Sequence, residues 1–116
     1  MALDKIRRRD GEIVPFNRSR IEHALVLACE AIGETDKAFI PELTDVILAD
    51  LDHVFSEIFV NRTPSVEDVQ DIVERNLVKT NRFELAKSYI LYREQRRKER
   101  EERMERLVDE FEKNTL

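Results

Sequence analysis

The sequence predicts an α+β fold that is mostly helical, with a β-hairpin leading into four helices, the last of them extended. Three observations carry this. Two glycines and three prolines in 116 residues leave little room for long loops. Apolar residues recur at helical spacing in four separate stretches. Asp10-Gly11 is a turn signal, because glycine takes positive φ at no steric cost and aspartate tolerates it; it joins two short extended runs, 6–9 and 12–16. The length fits one domain with an extension, and 41% apolar residues suffice for a modest core.

The hairpin feeds directly into the first helix. Asn17 is a candidate cap, and Ser19 followed by Glu22 also reads as a capping box. Ile21, Ala24, Leu25, Ala28, Ala31 and Ile32 follow at helical spacing, and Gly33 stops the helix. Thr35 or Asp36 caps a second helix whose apolar face is Phe39, Ile40, Leu43, Val46, Ile47, Leu51, Val54, Phe55 and Ile58. Pro41 falls in its first turn, where proline is tolerated. Asp45, Asp50, Asp52 and Glu57 load its other side, and a solvated face explains them better than a metal site.

The connector 59–64 has strand character and could add a third strand beside the hairpin. Ser65, Glu67 and Asp68 then repeat the cap-plus-acid pattern. Val66, Val69, Ile72, Val73 and Leu77 mark a third helix ending near 79–81. Phe83, Ala86, Tyr89 and Ile90 begin a fourth. It continues through a charged run, 94–106, whose mixed signs at i,i+4 spacing support an exposed helix. Met104, Leu107, Val108 and Phe111 then return at i, i+3, i+4 and i+7. They are expected to dock on a second domain, a partner or a copy of the same chain. The division is therefore a compact unit over 1–95 and a charged helical extension over 96–116.

Net charge is −5 but uneven. Residues 1–20 carry +3, residues 21–92 carry −8 and residues 93–116 are neutral. The one net-positive region is the hairpin. That suits a discrete phosphate ligand better than a nucleic-acid backbone, which favours a broad basic face. One Cys and two distant His exclude an intramolecular disulfide and a zinc site. Cys29 is expected to pack as a small hydrophobe in a reducing cytoplasm. No signal peptide or apolar run of membrane length is present.

No Gly-rich phosphate loop with Lys-Ser/Thr, no G-x-G-x-x-G and no Ser-His-Asp or Cys-His set can be assembled. The chain itself is therefore not expected to be an enzyme. What remains is binding. Arg7, Arg8, Arg9, Arg18 and Arg20 flank the hairpin turn and the first helix N-terminus, which carries partial positive charge and unpaired N–H groups. Guanidinium groups match phosphate oxygens bidentately and stay charged. The competing reading is an edge strand kept soluble by charge. An edge needs only one or two charges, and the arginines at the helix start go beyond that.

Three motifs resemble the ATP-cone domain: Arg-Arg-Asp-Gly at 8–11 with Ile-Val-Pro-Phe-Asn-Arg-Ser-Arg-Ile at 13–21, Thr-Pro-Ser-Val-Glu-Asp-Val-Gln-Asp-Ile-Val-Glu at 63–74, and Ala-Lys-Ser-Tyr-Ile-Leu-Tyr-Arg at 86–93. They occur in the family's order and cover about residues 4 to 95. The resemblance implies a four-helix bundle covered by a small three-stranded sheet with a hairpin lid. It also implies an allosteric ATP/dATP-binding module that controls the overall activity of a ribonucleotide reductase. ATP activates, and dATP inhibits by promoting oligomerisation. Mg2+ is expected to arrive with the triphosphate.

By position, the resemblance gives Arg8 and Arg9 to the phosphates, with Arg8 standing where the family often has Lys. It gives Asn17, Arg20 and Ile21 to the site at the start of the first helix. Glu67 stands where some members place a nucleotide-contacting His, so it bonds base or sugar or merely caps its helix. Tyr89, Ile90 and Arg93 fall on the helix that closes the pocket, and Tyr89 reads equally well as plain core. The implied partners are a reductase catalytic or radical-generating subunit and further copies of the chain. One alternative is the cone of a nucleotide-dependent repressor of reductase genes, which normally follows a Cys-rich zinc ribbon. Only a few residues precede the hairpin here. The other is a plain interaction module.

Overall fold

A computed structural model describes residues 4–115. The order is β1 (Lys5–Arg7), β2 (Ile13–Pro15), α1 (Arg18–Ala31), α2 (Ile40–His53), α3 (Val66–Lys79) and α4 (Phe83–Thr115). α1 packs against α2 and α4, and α3 packs against the same two helices. Among the described residues no helix is long and apolar enough to cross a membrane.

The hairpin turn differs from the expected two-residue form. The Gly11 N–H donates to the Arg8 carbonyl at 2.9 Å, and the Arg8 N–H donates to the Glu12 carbonyl at 2.8 Å. The loop is therefore three residues, 9–11. A two-residue type I′ turn needs positive φ at both central positions, and here only Gly11 has it, at 91°. Asp10 instead accepts the Glu12 N–H at 3.0 Å. The longer loop moves the register by one, pairing Ile6 with Val14 and Arg7 with Ile13. Ile6 then packs on the core, and Arg9 stands at the loop tip instead of on a strand.

Among the described residues the sheet has two strands. The expected third strand is reduced to one parallel bridge between Arg7 and Ser65, with the Arg7 N–H donating to the Pro64 carbonyl at 2.9 Å. Pro64 has no N–H to extend a ladder, and α3 begins two residues later. The bridge still fixes β1 beside the start of α3.

Asn17 is the N-cap of α1. Its side-chain oxygen accepts from the Ser19 N–H at 3.0 Å and from the Ser19 hydroxyl at 2.7 Å. Ser19 therefore lies inside the helix and is not its cap. α1 stops just before Gly33, whose φ is 73°, and the Glu34 N–H returns to the Cys29 carbonyl at 2.9 Å. α3 ends the same way on Asn81, with φ 61°, and the Arg82 N–H returns to Leu77 at 2.9 Å. Both close orphan carbonyls by the Schellman pattern.

α2 starts later than expected. Asp36 accepts the Ala38 N–H at 3.1 Å in a local turn, and Phe39 is an N-cap without a side-chain bond. Pro41 lies in the first turn. Ile40, Leu43, Ile47 and Leu51 are buried, but Val46 and Ile58 are exposed. The end of α2 widens into a π-helical turn over Val54–Ile58, where the Phe59 N–H reaches Val54. Arg62 then stacks over the Phe59 ring at 4.6 Å and gives both Asp68 oxygens a hydrogen bond at 2.9 Å.

α3 opens on a complete capping box between Ser65 and Asp68. α4 buries Leu85, Ala86, Ser88 and Tyr89, and the Ser88 hydroxyl donates to the Ala28 carbonyl at 2.9 Å. Phe83 and Ile90 are exposed. Cys29 is buried and free, as its apolar neighbours Leu25 and Ala28 require. α4 runs unbroken for 33 residues, and everything from 101 to 115 is exposed.

Candidate functional site

The loop tip, the first turn of α3 and the middle of α4 meet around one carboxylate. Arg9 Nε lies 2.9 Å from Glu67 Oε1, and Arg93 Nη2 lies 3.4 Å from Glu67 Oε2. Each oxygen of Glu67 thus holds one guanidinium. The hairpin register sets Arg9 at the tip, the bridge to Ser65 sets the tip over α3, and the capping box places Glu67 in the first helical turn. Glu67 is not the cap, because Ser65 and Asp68 fill that role.

Arg93 is the best-anchored arginine of the cluster. Its Nε donates to Gln70 at 3.1 Å and its Nη1 to Asp71 at 3.1 Å, and Nη1 also meets Glu74. Burial works against its charge, but Glu74 and Asp71 outweigh it and hold the pKa above the usual value. Tyr89, one turn earlier, is 4% exposed. Burial pushes its phenol up well beyond the ordinary tyrosine value, while nearby Arg93 pulls the other way. Tyr89 belongs to the core and backs the Arg93 side of the cluster.

The five arginines of the hairpin stretch do not gather on one ligand position. Arg8 folds back on its own loop, 3.3 Å from Asp10 and 3.6 Å from Glu12. Arg18 leaves for α2, where it meets Asp45 at 2.8 Å. Arg7 and Arg20 have no ion pair among the described residues. Asn17, Arg20 and Ile21 sit together at the start of α1, with Ile21 buried and Arg20 exposed. Arg9, Glu67, Tyr89 and Arg93 form one group, and the α1 residues form a second beside the base of the hairpin.

Sequence reasoning missed Arg100. The run 94–106 reads as a solvated face, yet Arg100 is half-buried. Burial lowers its pKa first, and the charge of Arg9 lowers it further. The available signal was spacing: Arg93, Arg96 and Arg100 stand at i, i+3 and i+7, on one face of a helix.

A cavity of about 380 Å³ lies at the other end of the helices, lined by Cys29, Ile32, Phe39, Asn81, Arg82 and Leu85 among others. Arg82 caps it over the Phe39 ring at 3.7 Å. No group of three or more His, Cys, Asp or Glu among the described residues is arranged to hold a metal.

The family model of the ATP cone domain matches residues 4–98. The chain is 36% identical over 108 residues to a ribonucleoside-diphosphate reductase subunit alpha of Chlamydia pneumoniae, covering 90% of this chain and 10% of the relative. It is 34% identical over 107 residues to a vitamin B12-dependent ribonucleoside-diphosphate reductase of Thermoplasma acidophilum, covering 87% and 13%. An anaerobic ribonucleoside-triphosphate reductase of Salmonella typhimurium is 31% identical over 98 residues, covering 84% and 13%. The chain thus spans only about a tenth of these relatives. The match over 4–98 includes the hairpin tip, the first turn of α3 and Arg93, and the chain belongs to the ATP-cone family of regulatory nucleotide-binding domains.

Proposed function

We infer that this chain binds ATP and dATP as allosteric ligands and sets the overall activity of a cytoplasmic ribonucleotide reductase. ATP activates and dATP inhibits through oligomerisation. The observation that carries the reading is the Arg9–Glu67–Arg93 array at the hairpin tip. Two guanidinium groups face one exposed carboxylate, which a phosphate oxygen can replace with stronger, bidentate bonds. Arg9 and Arg93 take the phosphates, and Arg8 joins them by leaving its loose pairs with Asp10 and Glu12. Asn17, Arg20 and Ile21 line the base of the hairpin, and Tyr89 supports the α4 side. Glu67 acts as the internal competitor that the phosphates displace.

Mg2+ travels on the triphosphate. ATP and dATP differ by one hydroxyl, worth only about 1–3 kcal/mol of discrimination. The switch therefore rests on two assemblies that the ligands favour unequally, in the reductase subunit and between copies of the chain. The compact unit over 1–95 binds, and the helix over 96–116 couples.

Calorimetric titration of the chain and of Arg9→Ala with each nucleotide tests this. Arg9→Ala is expected to weaken ATP and dATP alike, by about tenfold, the scale of one partly exposed charge-assisted bond. Unchanged titration in the variant removes Arg9 from the phosphates. A wild-type chain that titrates with neither nucleotide removes the function.

A further inference from the structure

We propose that Arg100, beyond the residues matched by the family model, is a further phosphate-binding residue of this site and ties the α4 extension to its occupancy. The inference rests on the nucleotide reading above. Arg96, Arg97 and Lys98 on one side and residues 101–115 on the other are exposed, while Glu99 and Arg100 are half-buried. Arg9, Arg93, Arg96 and Arg97 all have carboxylate partners. Arg100 has no ion pair among the described residues. Among the charges that act on it most strongly, Arg9, Arg96 and Arg103 oppose its own and Glu67 favours it.

A half-buried guanidinium under the repulsion of other arginines, with no carboxylate of its own, is an unfavourable arrangement until an anion arrives. Arg9 and Arg93 already share Glu67, and Arg93 also holds Asp71 and Glu74, so Arg100 is the arginine left without a carboxylate. A triphosphate supplies the missing negative charge. Its oxygens span several ångströms, so one end can meet Arg9 and Arg93 while another meets Arg100. Arg100 is one turn before Met104, and Leu107 and Phe111 continue the same helical face. Fixing Arg100 on the phosphates thus fixes the direction in which the exposed apolar stripe leaves the domain.

The test uses the whole chain with Arg100→Ala, Arg100→Lys and the distal control Arg106→Ala. Titration with ATP and dATP is expected to show about tenfold weaker binding for Arg100→Ala, partial recovery for Arg100→Lys and no change for Arg106→Ala. Thermal unfolding without nucleotide is expected to be unchanged or slightly higher for Arg100→Ala, because its repulsion with Arg9 is gone. A residue that merely props the helix gives the opposite, a lower melting temperature and unaltered affinity. Amide exchange over 101–115 is expected to slow with ATP in the wild type and not in Arg100→Ala. Wild-type affinity in Arg100→Ala, with Arg9→Ala weakened, overturns this proposal and leaves the nucleotide reading standing. No binding by the wild type overturns both.

Discussion

Replacing Glu67 with glutamine is expected to tighten the binding of both nucleotides. The carboxylate is 53% exposed and lies 2.9 Å from Arg9 and 3.4 Å from Arg93. A phosphate that takes Arg9 must sit within about 5 Å of the displaced carboxylate. At that separation two unit charges in water repel by about 0.8 kcal/mol. Two phosphate charges within reach double that, and screening over about 8 Å at physiological ionic strength returns it to about 1 kcal/mol. The Glu67→Gln change keeps the size of the side chain and removes its charge. The expected result is about three- to sixfold tighter binding of ATP and of dATP, by equal factors, in calorimetry at about 150 mM salt. The gain should shrink as salt rises. A variant that binds more weakly, or whose ATP-to-dATP ratio moves, refutes the reasoning. Glu67 then contacts the sugar or base directly, and the phosphates lie elsewhere.

Two further outcomes concern the scaffold of the site. Asp68→Ala removes the capping box and the Arg62 pair, and is expected to cost about 1–2 kcal/mol in chemical unfolding. Burial opposes the Asp68 charge, but Ser65 and Arg62 outweigh it and hold the carboxyl below its usual value. Its contribution is therefore present above the unfolded carboxylate pKa of about 4 and is lost as pH falls through the lower folded value. The wild-type acid limb should flatten in the variant. Gly11→Ala meets no neighbour within 4 Å, but φ is 91°, so the cost of about 1 kcal/mol is one of backbone strain alone. A shift of the loop to a two-residue turn, seen as changed hairpin cross-peaks in NMR, is the alternative result.

The helices and most of their stops were legible because they follow from local chemistry. The Ser65 and Asp68 box, the Asn17 cap and Gly33 act within a few residues of themselves, so their patterns can be read along the chain. The hairpin register was not legible, because it turns on the sign of φ at Asp10, and aspartate is allowed both. Asp36 looks like a cap but spends its side chain on a local turn, and the connector 59–64, read as a possible third strand, leaves only the single bridge at Ser65. For the site, the resemblance named Arg9, Glu67 and Arg93, which the fold brings together. It could not say that Arg18 would turn to Asp45, 27 residues away. Nor could the charged run show that Glu99 and Arg100 are half-buried while Arg96, Arg97 and Lys98 are exposed.

α4 is also a mechanical arm. Its base is gripped where Tyr89 and Ser88 enter the core, and its far end carries Phe111, 67% exposed. About twenty-two residues of helix separate Tyr89 from Phe111, a span of about 33 Å. Pivoting the base by only about 5° swings the tip through about 3 Å, the width of an atom-to-atom contact. A pivot of the base too small to alter the fold would thus decide between touching and missing whatever surface lies beyond.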